Sequence, residues 1–133
     1  MLYVDSSALL KRYVEEPESS QCERYLLADP DWLTARVTLV EVRRNLARLL
    51  DARALAEARR SFARDWKRTT IVELDEATCV AAAGISEVSG VRSLDALHLA
   101  AAGRVGKDAL RFLTYDIRLA RAAREHGFAV LGA

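Results

Sequence analysis

Apolar residues in this chain switch repeatedly between short runs and helical spacing, and that alternation limits the fold more than any other feature. Residues 2–4, 32–34, 70–74, 111–115 and 128–131 read as strands. Between them, Ala8, Leu9, Tyr13 and Val14 recur at helical spacing until Glu15-Glu16-Pro17-Glu18, and a second helix passes through Tyr25-Leu26-Leu27 to Asp29-Pro30-Asp31. Leu39, Val42, Leu46 and Leu49 form one stripe, and Leu55, Phe62 and Trp66 form another after a turn near Asp51. Asp75 opens an Ala-rich helix to about residue 88, closed by Ser89-Gly90. Further helices are expected over 94–104 and 116–126, the last stopped by Gly127. Strands separated by helices pair in parallel through right-handed crossovers. The expected class is therefore α/β, a three-layer α/β/α sandwich with a small, mostly parallel sheet. With 133 residues and no linker or repeat, residues 1–133 are read as a single domain.

Composition narrows the chemistry. With 51% hydrophobic and 29% charged residues, the chain is neither disordered nor fibrous. Its cysteines, Cys22 and Cys79, and its histidines, His98 and His126, show no zinc-site spacing and suggest no disulfide scaffold. The longest uncharged run, 77–86, is too short for a bilayer, so the expectation is a soluble, cytoplasmic protein without membrane partners. Dinucleotide, P-loop and serine-hydrolase signatures are absent, which leaves carboxylates to carry any chemistry. Net charge is only +1, but residues 36–68 hold ten Lys/Arg against four Asp/Glu. That segment either tracks a phosphate backbone or is a solvated helix face.

Four acids stand where strands or loops enter helices: Asp5 after the first strand, Glu41 near the start of the third helix, Asp95 beside Ser93, and Asp116 after the fourth strand. In an open parallel sheet, ligands bind beyond the carboxyl ends of the strands. Each acid also has a local structural explanation. Thr38-x-x-Glu41 reads as a capping box, Glu41 could pair with Arg44, Asp5 and Asp116 suit N-caps, and Asp95 complements a helix dipole. Asp95 is the informative member, because residues 96–103 are apolar almost all round and mark a buried helix. A buried carboxylate with acidic neighbours needs donors or a cation. Hard oxygen ligands suit magnesium or manganese, and such an ion activates water for attack on a phosphodiester.

Taken in order, Leu2-Tyr3-Val4-Asp5-Ser6-Ser7-Ala8-Leu9, the Glu41 helix opening, Ser93-Leu94-Asp95-Ala96-Leu97-His98-Leu99-Ala100 and Leu113-Thr114-Tyr115-Asp116 resemble PIN-domain nucleases, and most closely VapC-type toxins. The likeness spans essentially the whole chain; its specificity lies in the ordered set. It implies a magnesium-dependent endoribonuclease, with manganese as a substitute ion. Asp5, Asp95 and Asp116 would hold the metal, and Glu41 would orient a water or support the ligands. Ser6 and Thr114 match hydroxyl positions near the acids and are secondary candidates. The resemblance also implies an RNA substrate, a cognate antitoxin protein docking among the early helices, and a homodimer; Phe62 and Trp66 on the Leu55 stripe are read either as core or as part of that groove.

The competing readings are a phosphoryl-transfer or receiver-like α/β domain and a non-catalytic partner-binding module whose acids are all helix caps. Asp5-Ser6-Ser7 lacks the adjacent second acid that phosphoryl transfer needs. His98 is expected to be a satisfied core residue and Cys79 a small buried hydrophobe, whereas Arg43, Arg44 and Arg48 divide evenly between RNA contact and solvation.

Overall fold

Strand β1 (Leu2–Val4) sends its side chains alternately into two cores, and the layers follow from it. The computed structural model describes residues 1–133. Leu2 and Val4 pack with Leu113 against helices α1 (Ser6–Tyr13), α2 (Ser19–Ala28), α3 (Val37–Leu49) and α4 (Ala52–Arg68). Tyr3 packs on the opposite face with Leu33 and Phe112, under α5 (Glu76–Ser89), α6 (Ser93–Gly103) and α7 (Ile117–Glu125). The Tyr3 ring stacks on Phe112 at 4.7 Å between centroids, and Phe112 meets Phe128 at 5.5 Å. No helix is long and apolar enough to cross a membrane.

The remaining strands are β2 (Trp32–Ala35), β3 (Thr70–Val72), β4 (Arg111–Thr114) and β5 (Ala129–Gly132). They form one sheet in the order β3-β2-β1-β4-β5, and every pairing is parallel. The three-layer α/β architecture read from the sequence is therefore present, with a sheet parallel throughout. Successive strands run outward from β1 to β3, and the chain then returns to place β4 on β1's other side. The carboxyl ends of β1 and β4 flank that reversal, where crossovers leave a crevice.

Strand ends stop where partners stop. β3 finishes at Val72 because its partner strand ends at Ala35, so the expected extension to residue 74 has nothing to bond. β4 finishes at Thr114, opposite Gly132, and the Tyr115 N–H donates instead to Ser7 Oγ. Asp5, Asp51, Asp75 and Asp116 each cap a helix by accepting first-turn N–H groups.

Two local expectations fail. The Thr38-x-x-Glu41 capping box does not form, because α3 begins at Val37 and Arg36 is already helical. Thr38 is instead buried, its hydroxyl 2.8 Å from that of Thr34, which donates to the Val4 carbonyl at 2.6 Å. Cys79 is exposed, because α5 turns Thr78 and Ala82 inward and leaves the neighbouring position outside. Ala82 packs against Ala96 and Ala100 of α6.

Gly132 matters to the site because it lies against Thr114. Its φ is +99°, and a Cβ there would stand 2.3 Å from the Thr114 carbonyl oxygen. Gly132→Ala is expected to lower stability by about 1–3 kcal/mol in urea unfolding; an unchanged midpoint would show that the β4–β5 end is not fixed in this way.

Candidate active site

Asp5 both ends β1 and caps α1, so its carboxylate is carried to the sheet edge and held there; the residue is 2% exposed. The Ala8 N–H reaches Oδ1 at 2.9 Å, Thr114 Oγ1 donates to Oδ2 at 2.7 Å, and Ser7 Oγ lies 2.8 and 2.9 Å from the two oxygens. Burial pushes the Asp5 pKa up, and the nearby His98 charge and these donors only partly offset it. Ser6 makes no hydrogen bond to the acids; the hydroxyl at Asp5 belongs to Ser7. The cap explains this, because the second helical residue returns toward the capping carboxylate. Thr114 stands where the sequence placed it, and its hydroxyl also accepts from the Asp116 N–H at 3.1 Å.

Asp95 is the third residue of α6 and is 8% exposed, the burial that its apolar helix predicts. Arg92 Nε and Nη2 each lie 3.3 Å from Asp95 Oδ2, and Nη2 is 3.8 Å from Asp116 Oδ2. Asp116 gives its other oxygen to the Arg118 and Leu119 N–H groups as the cap of α7. A guanidinium thus stands between two of the four acids, and a threonine hydroxyl links Asp116 to Asp5.

Glu41 is not paired with Arg44. Its Oε1 is 2.7 Å from His98 Nε2, and His98 Nδ1 is 2.7 Å from the Tyr3 hydroxyl. His98 is the satisfied core residue expected, but one of its partners is a candidate acid, which its position in the sequence did not signal. Burial pushes the His98 pKa down; the Glu41 hydrogen bond and the charges of Glu41, Asp5 and Asp95 outweigh it and raise the pKa. Tyr3 is held as a neutral phenol by burial and by the charges of Asp5 and Glu41. Capping accounts for Asp5 and Asp116, but Asp95 and Glu41 cap nothing.

As the side chains stand, no three Asp, Glu, His or Cys groups converge closely enough to ligate one ion. The donor chemistry nonetheless suits a hard divalent cation. Available donors are carboxylate oxygens, both His98 nitrogens are engaged, and burial disfavours the charge on Asp5. Arg92 already supplies positive charge between Asp95 and Asp116.

Because the His98 pKa is raised, its stabilising contribution is complete below about pH 6.5 and is lost as pH rises through the raised folded value. Glu41→Gln is expected to lower that pKa, read from the imidazole proton shifts in an NMR titration. An unchanged titration would contradict the pairing.

Residues 2–125 match the model of the PIN domain. Ribonuclease VapC46 of Mycobacterium tuberculosis is 36% identical over 130 residues, spanning 98% of this chain and 95% of the relative. VapC20 of Mycobacterium tuberculosis, a toxin that cleaves the sarcin-ricin loop, superposes with a TM-score of 0.76 at 16% identity, covering 100% of both chains. A toxin-antitoxin complex from Klebsiella pneumoniae contains a chain that superposes with a TM-score of 0.66 at 17% identity, over 87% of each. The two structural matches speak to the fold, and the family match and the identity to VapC46 decide membership: the chain belongs to the PIN-domain family.

Proposed function

We propose that this protein is a magnesium-dependent endoribonuclease acting as the toxin of a toxin–antitoxin pair. The observation that carries this reading is Asp95, a buried carboxylate that caps no helix and shares a guanidinium with Asp116 at the strand-end crevice. The likeness to a named ribonuclease over nearly the whole chain supports it.

In this account Asp5, Asp95 and Asp116 hold the ion, with manganese able to replace magnesium. When bound, the cation polarises a phosphodiester and activates a water for in-line attack. Ser7 and Thr114 fix the Asp5 carboxylate so that its oxygens need not reorganise. Glu41, held through His98 by Tyr3, orients the attacking water toward the phosphorus.

An antitoxin segment fits the groove between α3 and α4. Leu39, Phe62, Ala63 and Trp66 form its apolar floor, Arg43, Arg59 and Lys67 form its rim, and its volume is about 390 Å³. Such a groove suits an amphipathic helix with an acidic face. A homodimer belongs to the same proposal.

Asp5→Asn and Asp95→Asn are each expected to abolish magnesium-dependent cleavage of RNA while circular dichroism stays unchanged, and a chelator is expected to silence the parent. Glu41→Gln is expected to slow cleavage by about 10–100-fold, as loss of a supporting group does. A fully active Asp95→Asn protein would refute the assignment.

A further inference from the structure

We propose that the cleft between the start of α6 and the outer face of α7 is a subsite for a backbone phosphate of RNA adjoining the one that is cut, held by Arg92, Arg118 and Arg121. The inference rests on the ribonuclease reading above and assigns the path of the strand beside the acids. The cleft encloses about 360 Å³, and Asp95 is part of its wall together with these arginines, Ser89 and Gly90.

Four carboxylates gathered at one edge repel a polyanion, so a bound strand needs cations within a few ångströms of them. Arg92 Nη2 is 3.3 Å from Asp95 and 3.8 Å from Asp116, and its side chain is 58% exposed. Arg118 is exposed and forms no ion pair; Arg121 pairs only with Glu125, one turn along α7, where solvent makes the bond weak. A guanidinium presents paired donors that match phosphate oxygens.

α5 ends at Gly90 with φ +66°, its N–H bonded to the Ser86 carbonyl at 2.9 Å, and Ser86 Oγ donates to the Val91 carbonyl at 2.8 Å. Arg92 therefore leaves a fixed turn rather than a loose loop. Arg118 follows the Asp116 cap by two residues, so the acid and the arginine are set by the same helix start.

The cleft's composition favours a phosphate backbone over an acidic peptide. Its apolar lining is limited to Val91 and Ala122, too little for a helix to bury a hydrophobic face. By contrast, Arg43 lines the apolar groove between α3 and α4, whose wall includes none of the four acids.

The test measures binding of a fluorescent single-stranded RNA to the full chain by anisotropy in chelator, across a salt series. Replacing both Arg118→Ala and Arg121→Ala is expected to weaken binding about tenfold and to flatten the log–log salt slope by roughly 0.7, the share of one phosphate contact on a single strand. Arg118→Lys with Arg121→Lys is expected to keep the slope, and Arg53→Ala with Arg60→Ala, on the exposed side of α4, to leave affinity within about twofold of the parent. With magnesium, the alanine pair is expected to raise KM and spare kcat. Unchanged affinity and slope, or equal losses in the α4 control, would overturn the subsite. A parent that binds RNA through these arginines but never cleaves it would leave the subsite standing and refute the ribonuclease reading.

Discussion

Asp5 brings a carboxylate to the end of the central strand, where it is 2% exposed and water cannot solvate its charge. An isolated buried anion is costly enough to take up a proton, so its neighbours decide its state. Those neighbours are arranged around it: an amide from α1, the Ser7 hydroxyl, and Thr114 reaching across from β4. The same contacts tie β1, α1 and β4 together, so the local fold and the electrostatic problem share one set of bonds. Asp95, 8% exposed, adds a second buried acid, and Arg92 compensates it from the solvent side.

Topology explains why acids 111 residues apart in sequence, Asp5 and Asp116, share one hydroxyl. Parallel strands all point their carboxyl ends to one edge, and the order β3-β2-β1-β4-β5 makes the first and fourth strands neighbours. Glu41 arrives by another route. It lies on α3, on the opposite side of the sheet from α6, and meets His98 at 2.7 Å. Tyr3, whose hydroxyl is the other His98 partner, anchors that link in the core. Two basic hollows differ in what they border: an apolar groove is rimmed by Arg43, Arg59 and Lys67, and an arginine-lined cleft adjoins Asp95.

Much of this was legible because burial writes itself into residue pattern. The Leu2-Tyr3-Val4 run ending at Asp5 indicated both the strand and the cap, and the apolar 96–103 stretch foretold the burial of Asp95. What could not be read depended on direction or on distant partners. Ser7 rather than Ser6 reaches Asp5, a one-position distinction decided by where the helix starts. Thr38 looked like a cap because spacing alone does not reveal that Arg36 is already helical. Cys79 stands outside because the inward stripe of α5 falls on Thr78 and Ala82. The Tyr3–His98–Glu41 chain joins residues from β1, α6 and α3, and no local signal connects them.

The most direct test of a shared cation site is paramagnetic broadening of amide NMR signals by sub-stoichiometric manganese. The account predicts that signals around Asp5, Asp95 and Asp116 broaden first and together, and that magnesium restores them in competition. Broadening centred elsewhere, for instance at the exposed acids Asp75 and Glu76, with the Asp5 signals untouched, would contradict it.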